Sequence, residues 1–290
     1  MDKPKLKLGF TDYFGGLDDF FVSSLSGAFD IERDDSNPNY LIFCDETFGQ
    51  KNKTYDPNKV IKIFYTGENR RPWNYGAHYA LSFDHLDWPR HYRLPLYVIE
   101  NWILVNYHRL KDIREIDRSK NSLENKTEFC GFVISNGRVK ERNDIFHYIS
   151  QYKQISSAGP HLNNTGYVLP RGMEAPAHKM QYFQNKKFTL CYENGSYPGY
   201  VTEKILHGFH CGSVPIYWGS PVVEVDFNPK AYVSRHDFRT DREMLDYIIE
   251  LDNNDEMYLD MVRQPIFNPR NKVMDIDRMN DWFLHNVYRG

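Results

Sequence analysis

The sequence predicts an α/β protein made of two Rossmann-like domains that face each other across a cleft. Short apolar runs rich in strand-forming residues alternate with segments of helical periodicity, and this alternation occurs twice along the chain. A strongly charged stretch, residues 111–126, separates the two sets. We therefore expect a first domain over residues 1–126 and a second over 127–265. Residues 266–290 should hold a final helix.

In the first half, short apolar runs indicate strands, and apolar residues three or four positions apart indicate helices. The predicted strands are Lys5–Phe10, Tyr40–Cys44, Val60–Tyr65 and Tyr79–Phe83, and the predicted helices are Leu17–Phe29 and Leu94–Tyr107. Phe20, Phe21 and Leu25 should face inward from the first helix. The charged residues 111–126 are interpreted as a surface linker.

The second half follows the same rule. The predicted strands are Phe129–Ser135, Phe188–Tyr192 and Val214–Trp218, and the predicted helices are Asp144–Tyr152, Thr202–His210, Asp241–Leu251, Asp255–Val262 and Asp275–Val287. In a parallel sheet, ligands collect beyond the carboxyl ends of the strands. Residues 187–221 have the pattern of a strand, a loop, a helix and a second strand. We therefore expect this segment to carry the main ligand-binding site of the protein.

The composition excludes several classes of function. Lys and Arg total 36 and Asp and Glu total 39, which argues against a general nucleic-acid-binding protein. The four cysteines, Cys44, Cys130, Cys191 and Cys211, have no metal-binding spacing, and we interpret them as reduced and structural. A Rossmann dehydrogenase would need GxGxxG after the first strand, and residues 9–16 do not supply it. No signal peptide or membrane-spanning run is evident.

Two charged side chains stand together where the helix of residues 202–210 begins. Glu203 can accept hydrogen bonds from sugar hydroxyls, and Lys204 can offset the charge of a diphosphate. Glu193 and Asn194 follow one strand, and Gly219 and Ser220 follow the next, so these residues should share an edge of the sheet. An ordinary first helical turn, with Glu203 complementing the helix dipole, is the alternative that the residues alone leave open.

Three separate blocks in this segment, FTLCYEN, GYVTEKI and VPIYWGSP, resemble the donor-binding signature of the α-1,3-fucosyltransferases. Weaker similarity runs from about Phe64 to Met261. The resemblance implies the GT-B architecture, with the N-terminal half binding the acceptor and the C-terminal half binding GDP-fucose. In this architecture the last helix, here within residues 266–290, often crosses back to the first domain. It implies inverting transfer of L-fucose from GDP-β-L-fucose to the 3-OH of N-acetylglucosamine in N-acetyllactosamine-type acceptors, with a Lewis x-like product.

The resemblance also implies roles for individual residues. Glu68, in a TGEN sequence after a predicted strand, matches the proposed general base, although a solvated loop carboxylate is the reading of the residues alone. Glu203 joins it as the second catalytic candidate. The donor would be held by Arg142, Asn194, Tyr200, Glu203 and Lys204. Arg142 fits the arginine of an SN-x-x-x-x-x-R pattern, and Arg138 is its rival.

Other residues carry weaker signals. Trp73 and Tyr75 would form a platform for the acceptor sugar, unless they are simply buried. The loop from Ser157 to Gly166 resembles a glycine and asparagine segment next to the donor. Asp275 and Asp277 have the spacing of a metal-binding DxD motif, but we interpret this as a chance match, and no metal site is predicted.

The resemblance further implies that no cofactor is required, and it leaves open whether Mn²⁺ or Mg²⁺ stimulates the reaction. We expect a bacterial form without anchor or stem, in the cytoplasm or peripheral to the inner face of the membrane. Partners would be GDP-fucose and an oligosaccharide. Alternatives are a glycosyltransferase with another donor, such as GDP-mannose, and a non-catalytic carbohydrate-binding protein. The exact acceptor, α-1,4 transfer and the oligomeric state stay open.

Overall fold

The computed structural model describes residues 3–172 and 174–290, and these form two compact units. The first comprises the chain up to Ile103 together with Lys272–Gly290, and the second is Leu104–Asn271. Each unit has its own parallel β-sheet with helices, which confirms the predicted α/β class. This division falls after Ile103, within a helix, whereas the sequence predicts a boundary at residue 126.

The sheet of the first unit has six parallel strands in the order β2-β1-β3-β4-β5-β6. The strands are β1 (Lys5–Thr11), β2 (Asp30–Arg33), β3 (Tyr40–Phe43), β4 (Ile61–Tyr65), β5 (Tyr79–Ser82) and β6 (His91–Arg93). The helices are α1 (Leu17–Leu25), α2 (Leu96–Asn106) and α8 (Ile276–Trp282), and a π-helical turn, Phe283–Val287, extends α8. Strands β2 and β6 were not predicted, because both lie at edges of the sheet and are rich in polar residues.

Helix α1 is shorter than predicted but buries the expected face. Phe20, Phe21 and Leu25 are fully buried. The helix ends at Leu25, and the chain turns through Gly27 so that β2 can begin at Asp30. The predicted helix extends to Phe29, because that residue continues the helical spacing of apolar residues. Phe29 is indeed buried, but it lies in the turn after the helix.

The C-terminal segment packs within the first unit. The rings of Phe283 and Phe21 lie 6.5 Å apart, and Trp282 Nε1 donates to the Pro89 carbonyl at 3.2 Å. At the start of α8, the Asp275 carboxylate accepts a hydrogen bond from the Asp277 amide, so Asp275 is the helix N-cap. A capping role thus accounts for the spacing of the DxD sequence.

The sheet of the second unit has five parallel strands in the order β11-β10-β9-β7-β8. The strands are β7 (Glu128–Phe132), β8 (Ile155–Ser157), β9 (Lys186–Tyr192), β10 (Val214–Trp218) and β11 (Val233–Ser234). The helices are α3 (Lys140–Ser150), α4 (Ala175–Phe183), α5 (Glu203–His210), α6 (Asp241–Asn253) and α7 (Asp255–Val262). The predictions had missed β8, β11 and α4.

The charged segment 111–126 lies mostly at the surface, as predicted, but it is part of the second unit, and Ile113 and Arg118 are buried. Arg118 is 3% exposed, and its guanidinium lies 4.9 Å from the centroid of the Phe209 ring. Lys126 Nζ donates to the carbonyls of Cys211 and Gln184 at 2.6 and 2.8 Å, and burial lowers the pKa of Lys126 to about 8. Long cationic side chains can bury their aliphatic carbons while their N–H groups bind backbone carbonyls. The number of charged residues in a segment does not reveal this.

The four cysteine thiols are free, as expected, and Cys44, Cys130 and Cys191 are buried. Over residues 3–172 and 174–290, we find no helix with the length and apolar character needed to cross a bilayer.

Candidate active site

The carboxyl ends of β9 and β10 form the edge on which the predicted donor residues stand. The two strands pair in parallel with Tyr192 opposite Trp218, and the Glu193 amide continues the pairing by donating to the Trp218 carbonyl at 2.8 Å. Helix α5 begins beside them at Glu203. We call this group of residues, Glu193, Asn194, Thr202 to Lys204, Gly219 and Ser220, the carboxyl edge.

Glu193 is the buried centre of the carboxyl edge. Its side chain has no exposed surface, and its two oxygens accept hydrogen bonds from the Thr202 amide and the Thr202 hydroxyl, each at 2.7 Å. Lys204 Nζ forms an ion pair with the same carboxylate at 3.0 Å. Burial raises the pKa of Glu193, and the charge of Lys204 and the bonds from Thr202 oppose that rise. Glu193 therefore ties the end of β9 to the first turn of α5.

Lys204 is shared between two carboxylates. Besides Glu193, its ammonium contacts the Thr202 hydroxyl at 2.8 Å and the Glu203 carboxylate at 3.3 Å. Burial alone would lower the pKa of Lys204, but the two carboxylates outweigh it and raise the pKa. Conversely, burial alone would raise the pKa of Glu203, and the charges of Lys204 and its other cationic neighbours lower it. Both side chains thus carry charge, and each keeps about a fifth of its surface exposed.

The donors of Thr202 are already in use. Both the amide and the hydroxyl of Thr202 bind Glu193. A carboxylate at a helix N-terminus is favoured by the helix dipole, so the protein's own Glu193 occupies the position that an external anion would compete for.

Arg142 lies at the same end of the sheet, on α3. It is 1% exposed, and its Nε donates to the Tyr192 carbonyl at 2.8 Å, which holds the guanidinium at the end of β9. Its charge acts against the raised pKa of Lys204, so the two cations are near each other. Arg138, the rival, is exposed on the loop before α3, where its amide binds the Asn136 side chain at 3.0 Å.

The remaining predicted donor residues differ in exposure. Tyr200 is fully buried, and its carbonyl accepts a hydrogen bond from the Tyr217 hydroxyl at 3.3 Å. In this conformation the Tyr200 ring packs in the interior beneath the loop and has no surface that a ligand could contact. Asn194 is half-buried directly after Glu193, on the carboxyl edge. The roles given to both in donor binding stay predictions.

The loop after β10 closes tightly over Glu193. A Cβ atom on Gly219 would come within 2.5 Å of Glu193 Cγ and 2.6 Å of the Tyr217 hydroxyl oxygen, so only glycine fits. Ser220 Oγ accepts a hydrogen bond from the Gly199 amide at 2.9 Å, which joins this loop to the one before α5. Gly199 and Gly219 thus allow the loop before α5 and the loop after β10 to approach each other.

The glycine and asparagine loop after β8 uses its polar side chains to hold its own shape. Asn164 accepts from the Ser157 amide at 2.7 Å and donates to the Ile155 carbonyl at 2.8 Å, so it bridges both ends of β8. A Cβ atom on Gly159 would lie 2.2 Å from the Ile134 carbonyl oxygen. These contacts account for the composition of the loop without a ligand.

In the first unit, Glu68 follows the carboxyl end of the internal strand β4. Its side chain is exposed, and its amide donates to Thr66 Oγ1 at 3.1 Å. The Arg70 amide donates to the Glu68 carbonyl at 2.6 Å, which fixes a tight turn. The structure therefore presents the Glu68 carboxylate on an ordered loop, as a general base requires.

Trp73 and Tyr75, the predicted acceptor platform, face different surroundings. Trp73 is 55% exposed in a 3₁₀ turn, Pro72–Asn74. Tyr75 is half-buried and stacks on Phe64 with ring centroids 4.0 Å apart, and its hydroxyl donates to Glu46 at 2.9 Å. Trp73 is therefore the more accessible of the two rings for stacking on a sugar.

Sequence reasoning did not assign a role to Glu193, although it placed this residue on the edge. The sequence does contain a pattern that could have revealed this role. Glu193 directly follows a buried strand, and Thr-Glu-Lys stands at the start of the next helix. A parallel sheet brings these two places together, so the carboxylate of Glu193 can meet hydrogen-bond donors there.

Comparison with known proteins gives consistent matches over most of the chain. The profile described as "Glycosyltransferase family 10 (fucosyltransferase) C-term" matches residues 123–265, and "Alpha-(1,3)-fucosyltransferase FucT N-terminal domain" matches residues 8–100. The alpha-(1,3)-fucosyltransferase FucT of Helicobacter pylori is 29% identical to this chain over 285 residues. The alignment covers 88% of this chain and 56% of that protein. The human GDP-fucose protein O-fucosyltransferase 3 is 30% identical over 179 residues, 58% of this chain and 36% of that protein. The chain thus spans between about a third and just over half of these relatives.

A solved structure agrees with the sequence matches. The crystal structure of an alpha1,3-fucosyltransferase with GDP-fucose superimposes with a TM-score of 0.77 at 26% identity, covering 100% of this chain and 93% of that one. The α/β architecture with two parallel sheets is therefore of the GT-B type.

We expect Glu193→Ala to destabilise the second unit strongly. Removal of one partner from a buried ion pair costs about 3–5 kcal/mol. Lys204 would keep its contact with Glu203, but the amide and hydroxyl of Thr202 would lose their acceptor. Asp144→Ala is the matched control, because the Lys140–Asp144 pair on α3 is mostly exposed and should contribute less than about 1 kcal/mol. Urea unfolding of both variants tests this. Equal losses in the two variants would contradict the central role of Glu193.

Proposed function

We propose, on the premise that this chain belongs to the fucosyltransferases of glycosyltransferase family 10, that it transfers L-fucose from GDP-β-L-fucose to a sugar hydroxyl. The second unit would bind the donor, and the first unit would bind the acceptor. The reaction would invert the anomeric carbon, with the 3-OH of N-acetylglucosamine in N-acetyllactosamine-type glycans as the attacking group and a Lewis x-like product.

The observation that carries this proposal is the arrangement of charge at the carboxyl edge. Arg142 and Lys204 place two cations near each other at the carboxyl end of β9, where parallel sheets bind ligands. Glu193 and Glu203 balance them in the absence of ligand. The leaving group of the proposed reaction is a nucleoside diphosphate, whose charge increases as the glycosidic bond breaks. Cations fixed in advance lower the energy of that charge because they need no reorganisation.

The exposure of the charged groups supports a division of roles. Lys204 keeps some exposed surface, so it can contact a diphosphate oxygen if its contact with Glu203 yields, while Glu193 holds its position. Glu203, released from Lys204, could accept hydrogen bonds from hydroxyls of the donor. Asn194 and Tyr200 would orient the nucleotide or the fucose, Tyr200 by supporting the loop.

Glu68 would act as the general base. A single displacement needs a group that removes the proton from the acceptor hydroxyl as the new bond to the anomeric carbon forms. A carboxylate on an ordered loop meets that need. Trp73, with its exposed ring, and Tyr75 would contact the acceptor sugar. No step in this scheme is assigned to a metal ion.

A second candidate is transfer to a hydroxyl of a protein, because one relative is named a GDP-fucose protein O-fucosyltransferase. The donor chemistry would be the same in both cases. Only the acceptor differs, and the exposed face of Trp73 can stack on a sugar or pack against a peptide.

GDP release from GDP-fucose, with and without N-acetyllactosamine, tests the proposed function. We expect release that depends on the disaccharide, and little release when GDP-mannose replaces GDP-fucose. Slow hydrolysis of GDP-fucose that the disaccharide does not accelerate would support the donor and favour a different acceptor. Absence of release with either donor would contradict the enzyme proposal and favour a carbohydrate-binding protein.

Glu68→Gln should reduce transfer by about a hundred- to ten-thousandfold, because the amide cannot accept the acceptor's proton. Binding of GDP should not change, since the donor site lies in the second unit. Glu32→Gln, an exposed carboxylate on β2, is the control and should keep full activity. Full activity of the Glu68 variant would refute its assignment as the base.

Arg142→Lys and Arg138→Lys distinguish the two candidate arginines. Lysine keeps the charge but loses the planar fork that binds both a carbonyl and a phosphate, so Arg142→Lys should weaken GDP binding by about tenfold in calorimetry. Arg138→Lys should bind GDP like the unchanged protein. The opposite result would assign the diphosphate to Arg138, and thermal unfolding of both variants separates a binding effect from a loss of stability.

A further inference from the structure

The loop that carries Glu68 is held at both ends by residues of the first unit. We call residues 66–71 the base loop. At its start, the buried hydroxyl of Thr66 accepts a hydrogen bond from the Glu68 amide at 3.1 Å and donates to the Glu68 carbonyl at 3.2 Å. Gly67 lies against α2, where an added Cβ atom would come within 2.9 Å of Leu96 Cδ1. The start of the base loop is therefore closely packed as well as hydrogen-bonded.

At the end of the base loop, Arg71 forms an ion pair with Asp84. Arg71 Nη1 lies 2.6 Å from Asp84 Oδ1, and the guanidinium lies 5.0 Å from the centroid of the Phe83 ring. The same guanidinium donates from Nη2 to the Asn69 side chain, within the base loop. Because one planar group binds on both sides, Arg71 links the base loop to the residues that follow β5.

Asp84 is held in place by a second set of contacts. It is 2% exposed, and its other oxygen, Oδ2, accepts a hydrogen bond from Ser82 Oγ at 2.6 Å. Ser82 Oγ also lies 2.9 Å from His91 Nε2, on β6. Burial lowers the pKa of His91 to about 4, so the ring is neutral. Since Ser82 donates its proton to Asp84, His91 donates to Ser82 from Nε2.

Ser82, His91 and Asp84 are the residue types of a hydrolytic triad, but they do not form a second active site. Ser82 has no exposed surface, and its hydroxyl donates to the carboxylate instead of to the histidine. A catalytic serine has to reach its substrate and give its proton to a base. These three residues therefore support the position of the Asp84 carboxylate.

We propose that Arg71 and Asp84 position Glu68 for proton abstraction. The proposal rests on the proposed function, in which Glu68 is the general base. Glu68 lies between the contacts of Thr66 and the Arg71–Asp84 pair, and the Arg70 amide binds its carbonyl. A displacement of about 1 Å in an active site can cost about a hundredfold in rate, so the stability of the base loop bears directly on the reaction.

Both members of the pair are shielded, which favours a positioning role over contact with a substrate. The Arg71 side chain keeps 17% of its surface exposed, and the Asp84 side chain keeps 2%. Glu68, in contrast, is exposed at the surface of the loop. The loop thus presents one carboxylate to the acceptor and uses the other to hold its own end.

Steady-state kinetics of Arg71→Met test the positioning role. We expect kcat to fall by about tenfold to a hundredfold and KM for GDP-fucose to stay within about twofold, because the proposed donor site lies in the second unit. Arg71→Lys keeps the charge without the planar fork and should recover part of the loss.

Arg33→Met is the matched control and should keep full kcat. Arg33 pairs with Asp18 at 2.8 Å and lies 5.3 Å from the centroid of the Phe10 ring, so it makes the same two kinds of contact as Arg71. It stands on the edge strand β2, which β1 and β3 separate from β4.

A second background distinguishes positioning from a general loss of structure. If Arg71 acts through Glu68, Arg71→Met should cost little further activity in a Glu68→Gln protein, because the displaced group no longer takes the proton. An equal fold-loss in the two backgrounds would overturn the proposal, and so would full kcat of Arg71→Met. If thermal unfolding shows that Arg71→Met is not folded, Asp84→Asn gives the same comparison with a side chain of the same shape.

Hydrogen exchange without substrate separates this proposal from the proposed function. The amides of Glu68 and Arg70 should exchange at least about tenfold faster in Arg71→Met, and Arg33→Met should not change them. If the unchanged protein transfers fucose while exchange in Arg71→Met stays the same, the positioning role alone is refuted. If the unchanged protein does not transfer fucose, the proposed function is refuted, and the catalytic role of the pair with it.

Discussion

The buried carboxylate of Glu193 is the interaction on which the second unit depends. It binds the amide and hydroxyl of Thr202 and the ammonium of Lys204, so one side chain joins the end of β9, the N-cap of α5 and the cation beside it. Gly219 makes room for this carboxylate, since no other residue fits against it. The hydrogen bond from the Gly199 amide to Ser220 Oγ joins the loop before α5 to the loop after β10. The position of Lys204 therefore follows from Glu193.

This arrangement explains how Arg142 and Lys204 can stay charged and close together when no anionic ligand is bound. Two unpaired cations near each other would repel and would pay a desolvation cost. Glu193 and Glu203 offset that cost, and the two acids differ in exposure. Glu193 has no contact with solvent, whereas Glu203 keeps about a fifth of its surface. Glu203 is thus the partner that a ligand can displace, and Glu193 is the partner that keeps Lys204 in place.

The strongest periodic patterns predicted the fold well. Strand β10 and helix α7 have the predicted bounds, and the apolar runs located every central strand. Strands β2, β6, β8 and β11 were missed because they have only two to four residues each, which is too short for an apolar run to stand out. Within residues 111–126, the buried contacts of Arg118 and Lys126 were not predicted, because they depend on tertiary packing within the second unit. For the site, the sequence located Glu203 and Lys204, but the hydrogen bonds that make Glu193 central exist only after the sheet has formed.

A crystal structure of the full chain with GDP-fucose would test the central claim most directly. We predict that the diphosphate lies at the carboxyl edge within hydrogen-bonding distance of Lys204 or Arg142, that Glu193 keeps its bonds to Thr202, and that Glu203 has moved away from Lys204. A diphosphate bound away from β9 and β10, or a Glu193 released from Thr202 when the donor binds, would contradict the account.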